Sequence, residues 1–215
     1  MARAGDALIH GPLSAGTAHL CVDMQKLFGP QGPWPTPWME RVLPVVAHLA
    51  ERFAGRNVFT RFIPPVRAED EVGAWRGFYR RWQAVTRERL PADMLELVPA
   101  LARFVPPAPV VDRPRFSAFA APRLGEVLGG WRVDTLVISG AETDMCVLAS
   151  VLGAVDRGYR VILVEDAVCS SSDAGHDALM SLYRGRFAEQ IETVTSAALL
   201  EAAGPVPVTS SGTST

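Results

Sequence analysis

Lysine is nearly absent from this chain of 215 residues: Lys26 is the sole one, and arginine supplies the rest of the side-chain positive charge. A GC-rich coding bias produces such a pattern, so an arginine at any one position need not reflect selection for its planar fork. Positive charge is not in excess either. A formal net charge of -2 and a sequence pI near 6.1 remove the basic footprint of a nucleic-acid binder. Three cysteines, Cys21, Cys146 and Cys169, are odd in number and widely spaced, which fits a reduced cytoplasmic protein better than a disulfide scaffold. The four histidines, His10, His19, His48 and His176, show no paired ligand spacing, so no catalytic metal is expected. No uninterrupted apolar run is long enough to cross a bilayer, and residues 1–6 lack the basic-then-apolar order of a signal peptide. Internal repeats, a glycine-rich phosphate loop and a domain linker are also missing, and neither a cofactor nor a membrane partner is expected.

What is present suits a globular protein, with 48% hydrophobic and 20% charged residues. We expect an irregular lead-in over residues 1–16, one domain over 17–203, and a flexible tail of Pro, Ser, Thr and Gly over 204–215. Residues 19–23 read as a first strand, apolar until it ends on Asp23. Residues 28–37 are crowded with Gly and Pro and must be a shaped loop, whereas 38–53 have helical spacing, with Pro44 marking a kink or a later start. Strand two covers 57–61. In the aromatic region beyond it, Trp75, Tyr79 and Trp82 share one helical face, and the arginines between them are either a solvated face or a grip for a substrate carboxylate. Helices are predicted over 92–104 and 122–128, strands over 110–113, 135–139 and 159–164, and a polar turn over 166–173. Asp173 should cap a helix over 176–187, and a strand over 190–194 and a short helix ending near Ala203 complete the series. Strands alternating with helices at this rhythm imply a parallel sheet covered on both faces by right-handed crossovers, with its site at the strands' carboxyl ends.

Asp23, Arg113 and Cys146 follow strands one, three and four, so topology brings three chemically capable side chains together. Cys146 falls in the first turn of a helix running to about Arg157. Unpaired N–H groups and the positive end of the helix dipole favour a thiolate there and would hold a developing oxyanion. A cysteine that merely packs in the core is the equally open alternative at this stage. Cys21 is expected in the core, and His176 as a cap or surface residue. Because the proline-rich loop leaves strand one beside Asp23, Phe28, Trp34 and Trp38 are expected to wall a small-molecule pocket, or else to seal a flank or an oligomer contact.

Five pieces in order carry a resemblance: His19-Leu-Cys-Val-Asp23-Met-Gln25, Asp112-Arg113-Pro-Arg-Phe116-Ser117-Ala118-Phe119, Gly140-Ala-Glu-Thr143-Asp144-Met-Cys146-Val147, Asp156-Arg-Gly158-Tyr159-Arg-Val and Asp166-Ala. Together they resemble the isochorismatase-like cysteine hydrolases, which include isochorismatases, nicotinamidases and N-carbamoylsarcosine amidases. The resemblance covers roughly residues 17–195. It implies a three-layer α/β/α, Rossmann-like fold with a six-stranded parallel sheet, an Asp, Lys, Cys triad, and a cis peptide that here falls at Ala141–Glu142. It also implies association into dimers or tetramers.

Carried over residue by residue, the resemblance places Asp23 and Cys146 in the triad and puts Arg113 where the family has lysine. Arginine keeps the charge and the hydrogen bonds but does not release a proton at physiological pH. The backbone of Ala141, Glu142 and Cys146 would form the oxyanion hole, and Gln25, Phe28, Trp34, Trp38, Phe119 and Thr143 the substrate pocket. Nicotinamidases bind a divalent ion through residues after strands one and two, but the region from Arg61 to Pro65 has no histidine. Three functions remain open. The first is hydrolysis of a C–N bond in a small amide or carbamoyl compound through a Cys146 thioester. The second is vinyl-ether hydrolysis of an isochorismate-like acid with Asp23 as general acid, and the third a silent small-molecule binder weakened by Arg113.

Overall fold

The computed structural model describes residues 8–202. The expected tail over 204–215 lies outside the described residues, as do residues 1–7 of the expected lead-in. Residues 8–16 are irregular but held: the backbone N–H groups of Ile9 and His10 donate to Glu192, whose carboxylate pairs with Arg160, which also donates to the carbonyls of Gly11 and Pro12.

Six strands alternate with helices as the sequence rhythm predicts. They are β1 (Thr17–Val22), β2 (Asn57–Phe62), β3 (Val110–Arg113), β4 (Thr135–Ala141), β5 (Arg160–Cys169) and β6 (Ile191–Val194). All pair in parallel in the order β3-β2-β1-β4-β5-β6. The helices are α1 (Met39–Arg52), α2 (Gly73–Arg81), α3 (Pro99–Ala102), α4 (Pro122–Gly130), α5 (Leu148–Val155), α6 (Asp173–Arg184) and α7 (Ser196–Ala202). The period of two along each strand sorts side chains into two cores. Leu20, Val22, Leu136, Ile138, Val161 and Leu163 face α4, α5 and α6. Cys21, Phe59, Val137, Ile162 and Val164 face α1 and α7. Cys21 is thus a core residue, and all three cysteines are free thiols. No helix among the described residues is long and apolar enough to cross a membrane.

The chain winds outward from β1 through β2 to β3, then returns to place β4 on the other side of β1. The winding reverses between β1 and β4, and the crevice beyond their carboxyl ends is where such sheets bind ligands. Gly140, near the end of β4, has φ +116°, and a Cβ there would stand 2.0 Å from the Val22 carbonyl oxygen. Only glycine lets β4 close on β1 at this point.

Four local expectations are corrected. The helix expected over 92–104 is interrupted: residues 92–95 form a 3-10 turn, and Val98 donates to the Met24 carbonyl before Pro99 opens the short α3. β5 does not stop at Val164 but continues to Cys169. The polar pair Glu165 and Asp166 sits at an irregularity opposite β4, where Asp166 accepts from Ser196 and Glu165 pairs with Arg184. Ser172, one residue before Asp173, caps α6 by accepting from the Gly175 N–H at 3.0 Å. The helix of Cys146 opens with a wide turn at Thr143–Val147, in which Val147 N–H reaches back five residues to the Glu142 carbonyl at 3.0 Å. α1, in contrast, is continuous across Pro44, which rules out a later start.

His19 is buried on β1, with Nδ1 2.8 Å from Asn57 Oδ1 and Nε2 2.8 Å from Ser139 Oγ. Burial lowers its pKa from 6.5 to about 4, the Asn57 contact opposing weakly. The ring is therefore neutral in the fold, while the unfolded chain takes up a proton at about 6.5. Its contribution is complete above that value and is lost as pH falls toward 4, by up to about 3 kcal/mol. Denaturant midpoints at pH 7 and pH 4.5 should differ less in His19→Gln than in the native protein; an unchanged difference contradicts the assignment.

Candidate active site

β1 ends at Val22, and Asp23 turns out of the strand with φ +50°, a left-handed conformation that a non-glycine residue rarely adopts. The turn delivers its carboxylate to the crevice. Thr60, on β2, donates to Asp23 Oδ1 at 2.6 Å, and the Asp23 N–H lies 3.2 Å from the Thr60 hydroxyl. Arg113, the last residue of β3, donates one Nη to Asp23 Oδ2 and the other to the Arg115 carbonyl. Both side chains of this ion pair are wholly buried. The Phe62 ring lies under the guanidinium, 5.4 Å from its centre.

Cys146 joins the same cluster, its thiol feeling the charges of both Asp23 and Arg113, so the three residues that topology predicted do come together. Its charge state differs from the expectation. Burial, and then the Asp23 charge, push the thiol well above its ordinary range; Arg113 pulls it down by less. The expected helix-terminal thiolate is therefore corrected to a resting thiol. The reason is its place: Cys146 lies late in the wide turn, only 5% exposed, and feels the Asp23 charge. For Arg113, burial works against the charge but Asp23 and Cys146 more than offset it, and its pKa rises. The Cys169 thiol is pushed up to about 12, chiefly by burial.

A cavity of about 420 Å³ opens above Cys146. Phe28, Trp34, Phe62, Phe78, Trp82 and Phe116 line it, together with Glu142, Asp144, Met145 and Ser171. Trp34 is the centre of the aromatic wall, with Phe28, Phe62, Phe78 and Trp82 rings all 5.8 to 6.2 Å away. Glu142 accepts from the Ser171 N–H and hydroxyl, and Asp144 from the Ser170 hydroxyl. The peptide bond between Ala141 and Glu142 is cis.

Phe28 and Trp34 stand in the wall as expected; four other expected pocket residues do not. Gln25 is buried and braces β2, accepting from Phe62 N–H and donating to the Phe62 and Leu95 carbonyls. Trp38 lies outside the lining, under Arg41 and near His176. Phe119 points the other way, stacked on Tyr159 beneath Arg157. Thr143 is buried and meets His176 Nδ1 at 2.9 Å, which makes His176 a brace for the turn instead of a cap. The lining residues missed include Phe62, Phe78, Trp82, Phe116, Asp144, Met145 and Ser171. Phe78 was legible in principle: it lies four before Trp82 and shares its face, whereas Trp75 and Tyr79, also four apart, pack inward. The arginines beside them are engaged elsewhere, Arg76 on the Glu71 carbonyl and Arg80 on Glu69.

A doubly wound parallel sheet with a thiol, a carboxylate and a guanidinium converging at its switch point defines the class. The chain belongs to the isochorismatase family, whose Isochorismatase domain model matches residues 17–195. It is 27% identical to an N-carbamoylsarcosine amidase of Arthrobacter over 146 residues, 65% of this chain and 53% of that protein. It is 31% identical to a maleamate amidohydrolase of Pseudomonas putida over 123 residues, 55% of this chain and 53% of that protein. The matched part thus spans about half the length of these curated relatives. Among solved structures, a cysteine hydrolase from Pseudomonas syringae pv. phaseolicola superposes with a TM-score of 0.75 at 25% identity, covering 89% of this chain and 94% of that one.

The divalent ion that the resemblance associates with nicotinamidases does not fit here. The Arg61 guanidinium, at the end of β2, is held at 2.8 to 2.9 Å by Asp112 and Glu96. Among the described residues no three His, Cys, Asp or Glu side chains gather as a ligand set.

Removing one partner from a buried ion pair leaves an uncompensated charge, at a cost of about 3–5 kcal/mol. Arg113→Met should lower stability in urea by that amount, and adding Asp23→Asn should recover most of it. An Arg113→Met protein as stable as the native one contradicts the pair's structural role.

Proposed function

We propose that the protein is a hydrolase that cleaves a C–N bond of a small amide or carbamoyl compound through a thioester on Cys146. The observation that carries this is the buried Asp23–Arg113 pair beside a cysteine that lines the cavity and whose thiol feels both of their charges. Two matched relatives bear the names amidase and amidohydrolase, which supports the same bond class.

A resting thiol needs a base. Asp23 takes the proton from Cys146 as sulfur attacks the carbonyl carbon, and the backbone N–H groups of Ala141, Glu142 and Cys146 are the candidates to stabilise the oxyanion. Collapse breaks the C–N bond, and Asp23 hands its proton to the departing nitrogen. Asp23 then takes a proton from water, hydroxide displaces the thiolate from the thioester, and the thiolate recovers that proton. Every proton moves through Asp23, so Arg113 never has to release one. Its part is to hold the carboxylate and offset the charges that form beside it, which needs a fixed positive charge and hydrogen-bond donors, and a guanidinium has both. Vinyl-ether hydrolysis is less well supported, because protonation by Asp23 has no use for a thiol beside both partners.

Mixed with a primary amide and quenched within a turnover, the protein should carry the acyl mass on the peptide containing Cys146, and Cys146→Ala should neither carry it nor release ammonia. Ammonia release by Cys146→Ala at the native rate would overturn the mechanism.

A further inference from the structure

We infer that the cavity selects an organic cation: an amide or carbamoyl compound whose apolar body bears a positively charged nitrogen. This rests on the C–N hydrolase reading above and adds the charge of the substrate. Six aromatic rings line the cavity, and aromatic faces attract a cation through their quadrupole, most strongly where water is excluded. The lining also includes half-buried Glu142, whose carboxylate is held by the Ser171 hydroxyl and N–H and by no cation, while Asp144 turns its carboxylate toward Ser170 and Gly175 at the start of α6. Among the described residues no lysine, arginine or histidine lines the cavity.

The neighbouring guanidinium groups do not alter this balance. Arg113 lies beneath the floor with its charge committed to Asp23, and Arg115 is paired through both terminal nitrogens with Glu71. Arg81 stands 5.8 Å from the Trp82 ring without joining the lining. An anionic substrate would therefore meet the Glu142 carboxylate and a set of negative π faces with no counter-charge. A cationic one gains from the rings and from Glu142, while its amide end is left facing Cys146.

Three probes of similar shape test this: para-(aminomethyl)benzamide, its neutral isostere para-ethylbenzamide, and the anion terephthalamate, which differ chiefly in charge at the far end of the ring. Ammonia release should show kcat/KM for the cation above the neutral probe by roughly tenfold, and the anion should be the poorest of the three. Glu142→Gln should narrow the gap between cation and neutral probe. Binding to Cys146→Ala, followed by tryptophan fluorescence through Trp34 and Trp82, separates the two levels of the account. Turnover of terephthalamate equal to or better than that of the cation overturns the charge selectivity and leaves the hydrolase standing. Tight binding of the cation to Cys146→Ala, with no turnover of any probe by the native protein, keeps the selectivity and contradicts the hydrolase. Equal binding of all three probes overturns the inference outright.

Discussion

The Asp23–Arg113 ion pair is the interaction on which the rest of the site depends. Its partners stand ninety residues apart in sequence and on strands that do not touch. The strand order β3-β2-β1-β4 resolves this, because it sets Arg113, Thr60, Asp23 and the turn of Cys146 side by side across four neighbouring positions. Each reaches the crevice by a local device: Arg113 by ending β3, Asp23 by a left-handed turn, and Cys146 by a wide turn behind a glycine that admits no side chain. Two full charges without water are tolerable only when each has its counter-charge and its hydrogen bonds. Thr60 and the Arg115 carbonyl supply two further ones, and the Arg113 Nε alone stays buried without a partner.

Electrostatics follow from that burial. A thiol sealed beside a carboxylate resists ionisation, and the guanidinium compensates only in part. The site therefore stores a neutral thiol with its base already beside it, in place of a free thiolate. This arrangement accommodates arginine where the resemblance implies lysine, since Arg113 is asked for charge and position and never for a proton. The same logic extends to the cavity above, where no cation is left to greet an acid.

The fold was legible because the strands are short apolar runs separated by helical periods, and each of the six expected strands exists in the expected order. The three converging residues were legible for the same reason, as polar side chains at strand ends. What failed were judgements that need tertiary contacts. Gln25, Thr143 and Phe119 sit in motif positions, yet two are braces and one faces the opposite layer. β5 continues past its polar pair because β4 and α7 supply partners that no local pattern reveals. The thiol's charge state was misjudged because dipole arguments count the helix terminus and omit burial and the neighbouring carboxylate, which here are the larger effects.

The central claim is that Asp23 both suppresses the thiolate and moves every proton of the reaction. Asp23→Asn separates these roles when two rates are measured on the same variant at neutral pH, alkylation of Cys146 by iodoacetamide and ammonia release from an amide. Alkylation needs only a thiolate, so losing the carboxylate beside a retained Arg113 should speed it, while hydrolysis, deprived of its proton carrier, should fall by at least about a hundredfold. If alkylation and hydrolysis instead fall together, or hydrolysis survives, Asp23 does not hold the place this account gives it.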